Sequence, residues 1–372
     1  MRVLSLYDGM SCGMIAFRQL GIPVDEYHAY EIDKYAIQVS KHNFPEIIYH
    51  GNVFYGDFTA YKGYDWLIGG SPCTYWSIAQ SPEKRETTAS GIGWELFQQY
   101  VRALHEAEPE YFLYENNYSM SDAIRDSISE AFGCEPIMIN SALVSAQSRK
   151  RLYWVGRRNK NGTYSKCMIN QPEDRGLVVR DILDNAYPLN TTEGGKSNTI
   201  KAQYSKNGVP NFVKYNSTYG ATGVAEPIQV GALARPNGEL SKSQGFRIYS
   251  VHGKSVTLKA GVGGAGAKTG LYAIEADGTE TPVFTVVNRH ITYKDKNYPI
   301  KLPDGFYIIR KLSVLECMRL QTVPEWYDFS VISATQAYKC LGNGWTVEVI
   351  MHIIKQAMQG KTEPCYKQLG FF

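Results

Sequence analysis

Cys73 follows Pro72 at the end of the apolar run Tyr64-Asp65-Trp66-Leu67-Ile68-Gly69-Gly70-Ser71, where a buried strand would run out into a loop. Ligands of open α/β sheets bind outside the carboxyl ends of the strands, so a thiol delivered there is a candidate nucleophile rather than core filler. A second apolar run, Tyr111-Phe112-Leu113-Tyr114, delivers Glu115 and Asn116 to the same side of a parallel sheet. Gln147-Ser148-Arg149-Lys150-Arg151 then precedes the strand Leu152-Tyr153-Trp154-Val155, with its two arginines at alternate positions and hence on one face. A thiol, a carboxylate able to give or take a proton, and two fixed positive charges at one sheet edge suit nucleophilic addition with acid help. An ordinary cysteine thiol is mostly protonated at neutral pH, so a neighbouring guanidinium would favour the thiolate.

A cofactor site is expected beside this set. The first strand ends in Tyr7-Asp8-Gly9-Met10-Ser11-Cys12-Gly13 and passes into a helix, the place where a Rossmann-like fold cradles a nucleotide. With glycines only at 9 and 13, and Asp8 where a pyrophosphate would sit, a dinucleotide is disfavoured. S-adenosylmethionine suits the loop better, with Asp8 expected to face its ammonium or sulfonium region. Glu31 ends the second strand, 22 residues beyond Gly9, where a carboxylate can accept both ribose hydroxyls. Asn52 follows the third strand and is placed to meet the adenine amino group, with Asp57 a rival.

The elements that must position these residues alternate. Val3 to Tyr7, Tyr27 to Ile32, Ile47 to Tyr49, Asp65 to Ile68, Tyr111 to Tyr114 and Leu152 to Val155 read as strands. Met14 to Leu20, Lys34 to His42, Leu96 to Ala107 and Ser121 to Phe132 read as helices, which predicts a doubly wound, largely parallel α/β sheet. After Arg158 helical periodicity disappears until about Arg310, which predicts a second, smaller, irregular β-rich domain; it returns at Lys311 to Leu320 and Thr346 to Met358. The expected division is residues 1–158 with 310–372, and residues 159–309.

With 372 residues, 44% hydrophobic and 20% charged, the chain can bury a sizeable core. No stretch approaches the ~20 apolar residues of a membrane span, and a cytoplasmic setting is the expectation. Seven scattered cysteines with no CxxC pair indicate neither a disulfide framework nor a metal site. The net charge of +3 hides an asymmetry: residues 1–140 carry 9 Lys/Arg against 19 Asp/Glu, and residues 141–215 carry 13 against 5. Such a basic middle suits an anionic polymer. Within it, Gly195-Lys196-Ser197-Asn198-Thr199-Ile200-Lys201-Ala202 is echoed by Gly253-Lys254-Ser255-Val256-Thr257-Leu258-Lys259-Ala260. The echo reads as a reused strand and turn, or as two loops offering Lys and Thr to phosphate, in a basic strip with Arg157 and Arg158.

The order Tyr-Asp-Gly-x-x-x-Gly, Glu31, Gly-Ser-Pro-Cys, Glu-Asn, Gln-x-Arg-x-Arg, Arg310 to Gln321 and Gly342-Asn343-Gly344-Trp345 resembles the DNA (cytosine-5) methyltransferases. Individual stretches are similar to the animal de novo enzymes within a compact bacterial or phage architecture. The resemblance implies methyl transfer from S-adenosylmethionine, leaving S-adenosylhomocysteine, to carbon 5 of a cytosine flipped out of double-stranded DNA. Cys73 would be the nucleophile and Glu115 the acid, with Arg149 and Arg151 supporting thiolate and base. The implied cofactor site comprises Tyr7, Asp8, Gly9, Met10, Glu31, Ile32, Asn52, Pro72, Leu96, Asn343 and Trp345, with Trp345 near the methionine end. No metal is implied. Gln80, Lys84 and Arg85, in a lid from Ser77 to Gly93, and Lys201 and Lys259 would touch DNA. Residues 159–309 would recognise the target sequence. A monomer is expected, alone or with a cognate restriction endonuclease. Three positions depart from the family pattern: Asn117 for the usual Val, Asn52 for the usual Asp, and Thr74 for the usual Gln. An RNA (tRNA) cytosine-5 methyltransferase and a catalytically silent DNA-binding homologue are the alternatives.

Overall fold

The computed structural model describes residues 1–77, 82–184, 227–232, 244–258, 269–276, 284–293 and 296–365. Strands β1 (Arg2–Leu6), β2 (Glu26–Tyr30), β3 (Ile48–Tyr49), β4 (Trp66–Gly69) and β5 (Tyr111–Asn117) pair in parallel in the order β5-β4-β1-β2-β3. Helices α1 (Cys12–Gln19) and α2 (Lys34–Asn43) lie between the first three strands, and α3 (Gly91–Ala107) leads into β5. Every residue of β4 is buried, the pattern of a strand covered on both faces. After α4 (Asp122–Phe132) the sheet departs from the largely parallel arrangement the sequence predicts. β6 (Ile137–Asn140) and β8 (Tyr164–Cys167) both run antiparallel to β7 (Lys150–Arg158), and β7 runs antiparallel to β5.

β8 corrects the expected boundary at residue 158, since it belongs to the first sheet. So does the chain beyond it. The Arg175 amide donates to the Leu143 carbonyl at 2.9 Å, and that of Asp184 donates to Glu316 at 3.0 Å. Residues of the other half form a second sheet of β9 (Gln229–Ala232), β10 (Arg247–Ser250), β11 (Leu271–Ala276), β12 (Phe284–Val287), β13 (His290–Tyr293), β14 (Lys296–Pro299) and β15 (Gly305–Arg310), ordered β14-β13-β12-β15-β11-β10-β9. Its own small core includes Ile248, Leu271, Val286, Tyr307 and Ile309.

The chain then returns through α5 (Val314–Leu320), α6 (Ala334–Asn343), α7 (Val347–Gln359) and the edge strand β16 (Thr362–Pro364) on β8. Phe17, Val39, Ile350 and Ile354 belong to one buried cluster; Phe97, Tyr100, Leu104, Ile128 and Phe132 form another. The first sheet is thus doubly wound. At the return, Arg310 donates to both oxygens of Glu316 at 2.7 Å, and Ser313 caps α5 with a reciprocal bond to Glu316. Burial raises the Glu316 pKa, but the Arg310 bonds and charge outweigh it and hold the carboxyl below its ordinary value.

Residues 251–258 sew the two sheets together. The Ser255 amide donates to the Ala146 carbonyl at 2.6 Å, the Ser148 amide to the Ser255 carbonyl at 2.8 Å, and the Thr257 hydroxyl to the Ser148 carbonyl at 2.7 Å. Lys254 is wholly buried, its ammonium donating to the carbonyls of Ala142 at 2.7 Å and Ser145 at 3.0 Å. This corrects the phosphate-contact reading of Lys254, which braces the seam. Arg157 and Arg158, near the far end of β7, pair with Glu110 and Glu108 beside the start of β5, the edge opposite Cys73. They do not extend a strip toward it. Lys196, Lys201 and Lys259 lie outside the described residues.

A buried ammonium on two carbonyls is removed most cleanly by Lys254→Met, which keeps length and loses the donors. Urea denaturation is expected to show about 1–3 kcal/mol of lost stability from the stranded acceptors. For duplex DNA, the polymer that the resemblance implies, the slope of log affinity against log salt is expected to stay unchanged, whereas a phosphate contact would flatten it by about one unit.

Candidate active site

β4 ends at Gly69, and the chain turns through Gly70, Ser71 and Pro72 into one 3-10 turn, Cys73–Tyr75. A Cβ at Gly69 would stand 2.5 Å from the Leu6 carbonyl oxygen, and one at Gly70 2.6 Å from that of Glu115. The paired glycines therefore let this turn press against β1 and β5. Hydrogen bonds then fix it. The Ser71 and Tyr114 hydroxyls are 2.6 Å apart, the Asn116 amide donates to the Ser71 carbonyl at 3.1 Å, and the Asn117 amide donates to the Cys73 carbonyl at 3.4 Å. Cys73 itself is half-buried. Asn117, legible in the sequence only as a departure from the family pattern, ties the thiol-bearing turn to the strand that carries Glu115.

Glu115 lies within β5 rather than beyond it, opposite Tyr153 of β7. Arg151 stands opposite Asn117, diagonal to Glu115 on the same face, and its Nε is 3.0 Å from Glu115 Oε1. The other oxygen, Oε2, accepts from the Trp345 indole Nε1 at 2.9 Å. Trp345, expected against the cofactor's methionine end, thus sends its polar edge to the carboxylate. Arg149 is buried, donating to the carbonyls of Gly344 at 2.9 Å, Gly342 at 3.2 Å and Leu258 at 3.4 Å. Burial and then the Arg151 charge lower its pKa to about 10, opposed by the charges of Glu115 and Cys73, and it stays a cation at neutral pH. Of the two arginines, Arg151 touches the carboxylate, and Arg149 adds its charge from beneath. The neighbouring Gln147 is wholly buried, and among the described residues neither of its side-chain polar atoms has a partner.

On the cofactor side, Tyr7, Gly9 and Ser11 all adopt left-handed backbone, at φ +59°, +58° and +59°. Tyr7 and Ser11 bear side chains there, strain of a kind that clusters at ligand sites. A Cβ at Gly9 would meet nothing within 4 Å, so open space lies over the loop. Glu31 folds toward it: Oε2 accepts from the Gly9 amide at 2.8 Å, and Oε1 from the Ile32 and Asp33 amides at 2.7 and 2.8 Å. Burial raises the Glu31 pKa while these amides oppose the rise. The adjoining Ile32 is 74% exposed. A carboxylate with a lone pair still open on Oε2, a bare apolar side chain and the gap over Gly9 fit an adenosine ribose and base. They fit S-adenosylmethionine, the donor implied by the resemblance.

Asp8 is a correction. Its carboxylate is taken up by the hydroxyls of Ser11 at 2.5 Å, Ser5 at 2.6 Å, Tyr27 at 2.7 Å and Tyr49 at 3.1 Å, and does not reach for an ammonium. Burial raises its pKa against all four donors. Tyr7 donates to the Leu96 carbonyl at 2.6 Å, and buried Met10 offers its carbonyl to Tyr327 at 2.8 Å. Asn52 and its rival Asp57 each cap a short 3-10 turn through the side-chain oxygen. Pro72 immediately precedes the Cys73 turn, and Asn343 is exposed at the end of α6.

Within the segment expected as a lid, Glu86 is anchored: its amide donates to the Tyr75 carbonyl at 2.9 Å and its carboxylate accepts from the Trp76 indole at 3.1 Å. A Cβ at Gly91 or Gly93 would stand 2.5 Å from that carboxylate, which accounts for both glycines. Lys84 is exposed; Arg85 is half-buried, and its Nε has no partner among the described residues. Gln80 lies outside the described residues. Among those residues no three His, Cys, Asp or Glu side chains gather as a metal would require, and no helix is long and apolar enough to cross a membrane.

The family profile for C-5 cytosine-specific DNA methylase matches residues 1–359. The orphan methyltransferase M.SPRI of Bacillus phage SPR is 27% identical over 96% of this chain and 97% of its own. M.Rho11sI of Bacillus phage rho11s is 28% identical over 74% of this chain, which spans 61% of that relative's length. Among solved structures, a Spodoptera frugiperda DNMT2 variant covers 96% of this chain and 99% of its own at a TM-score of 0.59 and 16% identity. The S. pombe Dnmt2 methyltransferase covers 96% and 98% at 0.53 and 14%; at such identities the likeness is one of fold.

Proposed function

From the premise that this chain belongs to the C-5 cytosine-specific DNA methylase family, we propose that it methylates carbon 5 of a cytosine in duplex DNA through a covalent adduct on Cys73. The observation that carries the reading is the convergence of the Cys73 turn, the Glu115 carboxylate and the Arg149 and Arg151 guanidinium groups at one edge of the first sheet. A cytosine in a duplex is out of reach of a half-buried thiol, so the base must swing out of the stack, at a cost of a few kcal/mol.

Carbon 5 of cytosine is a poor nucleophile until the ring's aromaticity is broken. Cys73, as thiolate, adds to carbon 6 while Glu115 delivers a proton to ring nitrogen 3, and the pair of steps turns carbon 5 into an enamine carbon. Arg149 brings its positive charge to bear on the Cys73 sulfur, and Arg151 orients the Glu115 carboxylate. S-adenosylmethionine, when bound, supplies the methyl group that carbon 5 takes. Glu115 then takes back the proton on nitrogen 3 while water accepts the carbon 5 proton, and the electron pair left at carbon 5 expels the Cys73 thiolate and restores the ring. Glu31 would hold the ribose hydroxyls, Ile32 would pack on the adenine, and Gly9 would leave room for the tail. Lys84 and Arg85 are placed on a segment continuous with the Cys73 turn, where phosphate contacts would fix register without reading sequence.

Duplex DNA carrying 5-fluorocytosine cannot lose its carbon 5 substituent and should trap the adduct. With S-adenosylmethionine present, the parent protein is expected to give a complex that survives denaturation, and Cys73→Ala none; a trapped species with Cys73→Ala would move the nucleophile elsewhere. Glu115→Gln is expected to lower turnover by roughly 10²- to 10⁴-fold with DNA affinity retained. By calorimetry, Glu31→Ala is expected to weaken S-adenosylmethionine binding by about 1.5–3 kcal/mol, as when hydrogen bonds to a charged acceptor are lost; equal affinity would place the ribose elsewhere.

A further inference from the structure

The Glu115 carboxylate has a second holder that the reaction as described does not use. Its Oε1 is met by Arg151 and its Oε2 by the indole N–H of Trp345 at 2.9 Å, from a turn 230 residues further along the chain. We propose that Trp345 is a positioning residue for proton delivery: its N–H fixes the plane of the Glu115 carboxylate. The inference rests on the reading of Glu115 as the proton donor.

The terminal torsion of a glutamate is soft and broad, so one donor on one oxygen leaves the carboxylate free to rotate about that contact. Donors on both oxygens, arriving from β7 and from the turn after α6, remove that freedom. The two donors differ in kind. Arg151 brings a positive charge, whereas an indole N–H orients the same group with no charge and can only donate. Each carboxylate oxygen still keeps a lone pair for the proton that the group must carry during turnover.

Trp345 is itself held firmly. The Gly344 carbonyl just before it accepts from Arg149 at 2.9 Å and from the Gln321 amide at 3.2 Å. Thr346 just after it donates to the Gln321 side-chain oxygen at 2.9 Å and meets the Ser141 hydroxyl at 2.8 Å. A Cβ on Gly344 would come within 3.3 Å of the sulfurs of Cys12 and Met10, so the turn also rests on the cofactor loop. The indole thus presents its nitrogen edge, and not only its ring, to the Glu115 carboxylate.

Trp345→Phe keeps an aromatic ring and removes the N–H. The expected result is a kcat lowered about tenfold or more, as for one lost hydrogen bond to a charged group, with KM for DNA and calorimetric affinity for S-adenosylmethionine unchanged. In a Glu115→Gln background the same change should cost little more, because the two residues act as one unit. The indole ¹⁵N–¹H resonance of Trp345, identified by its loss in Trp345→Phe, should shift on Glu115→Gln in the cofactor-free protein. An unmoved resonance, additive losses of kcat, or a raised KM with unchanged kcat would overturn the inference. Should Glu115→Gln keep full turnover, the acid role itself falls; should it lose turnover while Trp345→Phe does not, only the role of Trp345 falls.

Discussion

A buried guanidinium must have its N–H groups satisfied, and the acceptors that Arg149 finds belong to segments far apart in sequence. Leu258 comes from the seam with the second sheet, and Gly342 and Gly344 from the turn after α6. Leaving such a charge unpaired in the interior would cost several kcal/mol, so the cation commits three stretches of chain to one meeting point. The seam can approach because Lys254 satisfies the carbonyls of Ala142 and Ser145 from the other side. The turn can approach because Gly344 has no side chain to strike Cys12 and Met10. Trp345 is then delivered to Glu115 as a consequence of where Arg149 sits.

The same economy governs the cofactor edge. Asp8 collects four hydroxyls from Ser5, Ser11, Tyr27 and Tyr49, which locks a loop containing three left-handed residues. Glu31 bonds across to the Gly9 amide, so the rim carboxylate and the loop are set in place together. Asp8 therefore serves the shape of the site and Glu31 its surface. Strain stored in the loop is maintained by surrounding hydrogen bonds, which is what a site formed before its ligand arrives requires.

Much of this was legible because strands buried on both faces leave unbroken apolar runs, and the runs of the parallel β4 and β5 and of the antiparallel β7 point to Cys73, Glu115 and the arginine pair. Other features leave no such trace. The antiparallel β7 is written like any other apolar strand, and its direction depends on β6 and on the short excursion between them. β8 is interrupted by polar residues and sits among Gly, Asn and Thr, so the sheet's continuation past Arg158 does not show. α6 carries Thr335, Gln336, Lys339 and Asn343 among few large apolar residues, and it is helical because its apolar side meets α5 and the cofactor loop. Lys254 in a Gly-Lys-Ser segment looks like a phosphate ligand, and only burial against two carbonyls shows otherwise. The indole of Trp345 reads as ring packing because spacing cannot say which edge of a tryptophan faces the site.

Duplex DNA labelled with tritium on carbon 5 of cytosine tests the central assignment most directly, since methylation at that carbon must release its hydrogen. With S-adenosylmethionine and this protein, one tritium should enter water for each methyl group transferred to DNA. Methyl transfer without tritium release, or release from tRNA cytosines and none from duplex DNA, would contradict it.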